Sequence, residues 1–378
     1  MKYYIIAGEA SGDLHGSNLI KGIFKKDPDA HIRCIGGAAM AQAGAQVVKD
    51  YKENAIMGFV EVLSKLGSIF SNLRFCKDDI LKFNPDSIIL IDYPGFNLKI
   101  AKFAKTAGFK VFYYIPPKVW ARGESRVKLL RRYIDHTYII FPFEVDYFKN
   151  KNVDASYFGN PLTDTIFNSP AYNIPKEEFF HTNHLDINKK TIAMLAGSRK
   201  MEVEYLLPRM VKMAHLLDAR YPGEYQYILP AAPSIDIPML ARMVGNAPIR
   251  ILTQSTYPAL RYSDAAVISS GTASLEAAII GTPQVVGYGV NPISYAIAKV
   301  VVKIDTFSLA NLILGRKIFK ELIQHDCTPE NLMLEIEKLT QNFKYRDTML
   351  TDYRELHHIL HCDDAAAKIA EDIIKRIK

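Results

Sequence analysis

No run of about 18 uncharged apolar residues occurs in the 378-residue chain, so nothing in it reads as a membrane-spanning helix. The longest weakly charged segment, Ala265 to Ala298, is broken by Gly271, Gly281, Pro283, Gly287, Gly289 and Pro292 and reads as buried strands and turns. Cysteine is scarce. Cys34, Cys76, Cys327 and Cys362 are scattered and form no C-x-x-C pair, which argues against a disulfide framework and for reduced thiols. The histidines cluster only at His181/His184 and His357/His358/His361, without a familiar ligand spacing, so no metal and no cofactor is assigned. A leader with an apolar core and a small-residue cleavage site is also missing, and the reading is a cytosolic protein. Repeats and low-complexity tracts are absent. No Lys/Arg run carries the interleaved aromatics that grip single strands, so nucleic acid is not an expected partner. What remains is a net charge of +7, which suits a phosphorylated substrate or an acidic membrane surface.

Hydrophobic residues at 49% and charged residues at 23% describe an ordinary globular chain, and its length suits two domains. The first half alternates apolar strands with helical patterns. The strands are Lys2–Ala7, His31–Ile35, Ser87–Asp92, Lys110–Ile115 and Thr137–Phe141, with helices such as His15–Lys26 and Leu98–Ala107 between them. Nearly continuous Ile, Val, Tyr and Phe is the pattern of parallel strands buried on both faces. A polar, proline-bearing stretch, Asn160 to Lys190, reads as a linker. Alternation then resumes at Thr191–Leu195, Tyr225–Leu229, Ile249–Leu252, Ala265–Ile268 and Gln284–Tyr288, and the chain ends in helices. The expected class is α/β. Two Rossmann-like doubly wound domains, 1–165 and 166–350, would face a cleft, with helices over 351–378 able to pack back on the first domain.

Four strand ends carry candidate chemistry. Gly8-Glu9-Ala10-Ser11-Gly12-Asp13 follows the first strand and lacks the G-x-G-x-x-G fingerprint of dinucleotide binding. Glu9 is read as facing the cleft, while Asp13 is open between a ligand contact and a helix cap. Ile91-Asp92-Tyr93-Pro94-Gly95-Phe96-Asn97 puts an aspartate between an apolar strand and a Pro-Gly turn. Asp92 is read as a general base for a sugar hydroxyl, against the plainer reading of a turn residue. Gly197-Ser198-Arg199 opens a helix after a strand, where amides and a guanidinium suit a leaving diphosphate. Ser270-Gly271-Thr272 repeats that geometry, with Glu276 one turn on and suited to a ribose diol. Separately, Ile56 to Leu73 carries more apolar surface than one helical stripe. It is either a core helix or a surface that meets acyl chains or a membrane through Met57, Phe59, Val60, Leu63, Leu66 and Phe70.

Together these segments resemble the lipid-A-disaccharide synthase family. So do Met57-Gly58-Phe59-Val60-Glu61-Val62-Leu63, Pro117-Lys118-Val119-Trp120-Ala121, the run Ser308-Leu309-Ala310-Asn311-Leu312 to Gly315-Arg316 and Glu321-Leu322, and Tyr353-Arg354-Glu355-Leu356-His357. The resemblance covers nearly the whole chain in order. It implies a GT-B fold with the donor held mainly by the C-terminal domain. The implied reaction is inverting transfer from UDP-2,3-diacylglucosamine to 2,3-diacylglucosamine 1-phosphate, giving the β-1,6-linked lipid A disaccharide 1-phosphate and UDP. It implies a peripheral location on the inner membrane surface, Asp92 as base, donor contacts at Arg199 and Glu276, and a motif near the cleft that holds Asn311 and Arg316. On the strand-end motifs themselves, Glu9 is assigned as catalytic with Asp92, and Ser11, Asp13, Asn97, Ser270, Gly271 and Thr272 as substrate contacts beside Arg199, Glu276, Asn311 and Arg316. Self-association into a homodimer stays open. Three positions depart from the family pattern: Gly95 for Asp, Arg122 for an aromatic and Asn160 for His. Two other readings stand beside this one, a UDP-sugar 2-epimerase of similar fold and a non-catalytic nucleotide-sugar binder.

Overall fold

The computed structural model describes residues 1–54, 62–120, 123–253, 255–289 and 306–378. They form two compact units, 1–161 with 361–378, and 162–360. The first holds seven parallel strands: β1 (Lys2–Ala7), β2 (His31–Gly36), β3 (Gln46–Asp50), β4 (Ser87–Ile91), β5 (Lys110–Tyr114), β6 (His136–Ile139) and β7 (Ala155–Tyr157), in the order β3-β2-β1-β4-β5-β6-β7. Its helices are α1 (Ala10–Lys26), α2 (Ala38–Gln42), α3 (Val62–Phe83), α4 (Pro94–Thr106), α5 (Val127–Tyr133) and α6 (Glu144–Lys149). Alternate strand residues feed two cores. Tyr4, Ile6, Ile88, Leu90, Val111 and Tyr113 pack on one face of the sheet, and Tyr3, Ile5, Ile89, Ile91, Phe112 and Tyr114 on the other. This is why the strands read as unbroken apolar runs: with both faces covered, neither set of alternating positions is left to water.

The second unit has six parallel strands: β8 (Lys190–Leu195), β9 (Tyr225–Ala231), β10 (Ile249–Thr253), β11 (Ala265–Ser269), β12 (Gln284–Tyr288) and β13 (Glu321–Ile323), ordered β10-β9-β8-β11-β12-β13. Its helices are α7 (Pro161–Phe167), α8 (Lys176–Thr182), α9 (Lys200–Arg220), α10 (Ile237–Val244), α11 (Thr256–Arg261), α12 (Thr272–Ile280), α13 (Leu309–Leu314), α14 (Pro329–Gln341) and α15 (Phe343–Leu360). The stretch read as a linker does hold the boundary between the units, after Pro161, but it is largely structured. α7 and α8 occupy much of it, and Phe179 and Phe180 join the core beneath β8 and β11, so two adjacent aromatics outweigh the polar, proline-rich surroundings. Strands β3, β7 and β13 escape the pattern because they are short or only partly buried at sheet edges.

A last helix, α16 (Ala365–Ile377), belongs to the first unit. Ile369, Ala370 and Ile373 enter the core shared with α1 and β1, each isoleucine contributing about 1.5–3 kcal/mol by burial. Tyr138 on β6 donates to Asp372 at 2.8 Å, and Lys25 on α1 pairs with Asp364 at 2.7 Å.

Candidate active site

In each unit the strand order reverses beside the first strand, and ligands of doubly wound sheets gather at the carboxyl ends of the strands flanking that point. In the first unit those strands are β1 and β4. The turn after β1 carries Gly8 and Glu9, and the turn after β4 carries Asp92 and Tyr93. A Cβ at Gly8 would sit 2.3 Å from the Tyr93 ring, so only glycine lets the two turns approach this closely.

Asp92 and Tyr93 both adopt left-handed backbone, with φ of 44° and 48°. Such non-glycine residues cost on the order of 1–3 kcal/mol each and persist where surrounding bonds hold them. The Asp92 N–H donates to the Tyr114 carbonyl at 3.1 Å. Its carbonyl accepts from the Asn97 amide and the Tyr113 hydroxyl, both at 2.7 Å. Asn97 also donates to the Ile91 carbonyl at 3.1 Å. The Asp92 carboxyl has its pKa raised, mainly by burial, against the opposing Tyr93 N–H and the Lys118 charge. Glu9 is raised as well, first by desolvation and then by Asp92. Two neighbouring carboxyls that resist ionisation are suited to taking a proton near neutrality. Close by, buried Glu144 accepts from the Trp120 indole at 2.8 Å and the Phe141 N–H at 3.1 Å.

In the second unit the flanking strands are β8 and β11. The turns after them line a cavity of about 360 Å³ that includes Gly197, Ser198, Arg199, Glu202, Ser270, Gly271, Thr272 and Glu276. Arg199 precedes α9 with its side chain 82% exposed. Gly197 (φ +123°) lies so close to Glu202 that a Cβ would be 2.6 Å from the glutamate Cβ. Gly271 (φ +136°) introduces α12, whose first N–H groups have no partner within the helix and suit an anion. Burial pushes the Glu276 carboxyl up to about 7, with the Tyr257 hydroxyl hydrogen-bonded to it as an opposing influence.

Several expected contacts need correction. The α9 amides are not open to a diphosphate at Ser198 and Arg199: the Glu202 carboxylate takes those N–H groups at 3.0 and 3.3 Å and the Arg199 guanidinium at 3.1 Å. Asp13 is 6% exposed and holds the turn into α2, accepting from the N–H groups of Gly37, Ala39 and Met40. Asn97 is fully buried beneath the Asp92 turn. Asn311 is likewise buried, accepting from the Ile318 N–H at 2.8 Å and donating to the Phe319 carbonyl. Arg316 pairs with Asp352 at 2.7 Å and Glu355 at 2.5 Å. Neither Asn311 nor Arg316 lines the cavity. Ser11 is exposed at the start of α1.

Of the apolar-surface residues, Met57, Phe59 and Val60 lie outside the described residues, as does Arg122. Leu63 and Leu66 fall in the first turns of α3. Phe70 is 64% exposed, with Leu73, Cys76 and Ile80 of the same helix buried. Tyr113, Glu144 and Tyr257 carried no signal of their own in the sequence, Lys118 none beyond its place in the Pro117–Ala121 segment, and Glu202 none beyond its place after Arg199.

Known proteins bear on this arrangement. The family described as lipid-A-disaccharide synthetase matches residues 3–373. The lipid-A-disaccharide synthase of Geobacter metallireducens is 39% identical over 88% of this chain and 86% of its own length. That of Syntrophus aciditrophicus is 36% identical over 99% and 97%. Among solved structures, the UDP-GlcNAc 2-epimerase of Neisseria meningitidis bound to UDP-GlcNAc aligns with a TM-score of 0.69 at 13% identity, over 99% of this chain and all of that one. A glycosyltransferase from Rickettsia africae aligns at 0.61 and 11% identity, over 100% and 98%. At such identities the structural likeness speaks for the fold alone, two doubly wound units of the GT-B class, and the epimerase resemblance stops there. The family match over nearly the whole length speaks for more: this chain belongs to the lipid-A-disaccharide synthase family and is a glycosyltransferase.

Proposed function

We propose that the chain joins UDP-2,3-diacylglucosamine to 2,3-diacylglucosamine 1-phosphate, giving the β-1,6-linked disaccharide 1-phosphate and UDP. The observation that carries the donor half is the cavity at the β8/β11 reversal, where Arg199, the α12 N-terminus and Glu276 supply a cation, amides and a carboxylate. Because Glu202 occupies two amides of the Gly197–Arg199 turn, the diphosphate is assigned to the α12 amides and the Arg199 guanidinium. Glu276 accepts from the ribose hydroxyls.

The first unit supplies the acceptor side. Asp92 takes the proton of the acceptor 6-hydroxyl as that oxygen bonds to the anomeric carbon. The bond from that carbon to the diphosphate oxygen breaks with inversion, and its electron pair leaves on UDP, whose charge Arg199 and the α12 amides stabilise. Glu9, beside Asp92, is itself raised by desolvation and by the Asp92 charge, so it can stay protonated while Asp92 is ionised and acts as the base.

Acyl substrates also favour a location at the inner membrane surface, on its cytoplasmic side. Among the described residues no helix is long and apolar enough to cross a membrane, so the contact proposed is peripheral. The exposed Phe70 of α3, in a groove with Arg74 and Lys77, supports it. Liposome co-sedimentation of a folded Phe70→Ser variant should fall below wild type, and equal binding would remove α3 from the contact.

The deciding experiment is incubation of the purified protein with both substrates, following UDP and disaccharide by mass spectrometry. Disaccharide that falls roughly 10²–10⁴-fold in folded Asp92→Asn supports the reading. Epimerised UDP-sugar without disaccharide would transfer the chain to epimerase chemistry. Undiminished product from Asp92→Asn would remove Asp92 as the base.

A further inference from the structure

β5 follows the alternating rule strictly, and Tyr113 is one of its inward residues, fully buried in the core under α4 with Phe96, Leu98 and Ile100. A residue there needs only bulk. Tyrosine brings a hydroxyl that must find a partner in an apolar setting, and its partner is the Asp92 carbonyl at 2.7 Å. Asp92, whose carbonyl receives this bond, is left-handed, with φ of 44°. With the Asp92 N–H on Tyr114, and Asn97 and Tyr113 on its carbonyl, the peptide groups on both sides of the Asp92 Cα are fixed, and so is the direction of its side chain.

We propose that Tyr113 is a positioning residue: its hydroxyl holds the left-handed turn from which the Asp92 carboxyl projects. The inference rests on Asp92 being the base. Around that carboxyl stand Glu9 from the end of β1, Lys118 from the segment after β5, and Tyr113 itself, with Glu144 at the start of α6 acting on Lys118. Burial is the largest influence on Asp92, ahead of the Tyr93 N–H and Lys118. A turn that relaxes toward water therefore moves the carboxyl back toward ordinary acidity.

The test is Tyr113→Phe, which keeps the ring and removes only the hydroxyl. Its kcat is expected to fall about tenfold or more through misdirection of the base. The acid limb of its kcat–pH profile should move to lower pH, and KM for the UDP donor should stay within about twofold of wild type because the donor contacts are untouched. Asn97→Leu removes the other side-chain donor on the same carbonyl and carries the same expectation should Tyr113→Phe fold poorly. Tyr138→Phe loses a comparable buried hydroxyl bond in the same sheet, to Asp372, and is the control. It should lower the melting temperature without moving the limb. Folded Tyr113→Phe with an unmoved limb and kcat, or one that behaves like Tyr138→Phe, overturns the proposal. Full activity in Asp92→Asn would instead overturn the base assignment, whatever Tyr113 does.

Discussion

Glu276 shows what one carboxyl in a half-buried cavity wall does to the molecule. Its folded pKa of about 7 lies above the ordinary carboxylate value, so the folded chain keeps a proton that the unfolded chain releases. The associated stability is fully present below about pH 4.5 and is lost as pH rises through about 7. Glu276→Gln removes that dependence. In denaturant titrations it should gain on wild type between pH 5 and pH 8, by at most about 3 kcal/mol; parallel curves for the two proteins would show that the carboxyl is not perturbed. Glu276 was noticeable in the sequence because it follows an apolar strand and a small-residue turn, the local setting that also drew attention to Asp92 and Arg199. The settings of Asp13, Asn311 and Arg316 were not legible. Their partners Gly37, Ile318 and Asp352 lie 24, 7 and 36 residues away, and no spacing rule connects them. Tyr113 was hidden for the opposite reason: an aromatic at a core position of an apolar strand is explained by burial alone, and only the fold reveals what its hydroxyl touches.

Helix α16 raises a question of fit between elements. Its first turn crosses α1 at Gly22, where a Cβ would lie 2.7 Å from the Ala366 carbonyl oxygen and 2.9 Å from the Ala367 nitrogen. Those are backbone atoms and cannot swing aside. Gly22→Ala should therefore destabilise the protein by about 1–3 kcal/mol, although alanine is the better helix former. Gly95, in the first turn of α4, has open space around its added Cβ, and Gly95→Ala should stabilise by about 0.5–1 kcal/mol. Thermal melts of the two variants should move in opposite directions; a stabilised Gly22→Ala would mean that α16 does not seat on α1 as described. At this scale the sequence was most readable where strands are buried on both faces, as in β1, β4, β5 and β11. It was least readable at β3 and β7, whose residues are mostly partly exposed, and at α8, where Phe179 and Phe180 were lost among prolines and charges.

At the scale of the molecule, strand order is what brings the sites together, and order is invisible in a linear pattern. Residue 9 comes to lie beside residue 92 because β1 pairs with β4, and residue 199 shares a cavity with residue 271 because β8 pairs with β11. Each unit thus carries its own strand-end site on its own core. UDP should accordingly be recognised by the second unit alone. Hydrogen exchange at saturating UDP should slow in peptides spanning 195–202 and 269–276, with those spanning 8–13 and 91–97 unchanged. At a hundredfold excess over Kd the bound unit gains about 2.7 kcal/mol against unfolding, enough to retard its slowest-exchanging core amides about a hundredfold wherever they exchange through global opening of that unit. Protection centred instead on 91–97 would put the nucleotide on the first unit and exchange the donor and acceptor assignments. Protection of both sets would mean that UDP alone draws the Asp92 turn into its site, and an Asp92→Asn variant would then bind UDP with altered affinity as well as turning over more slowly.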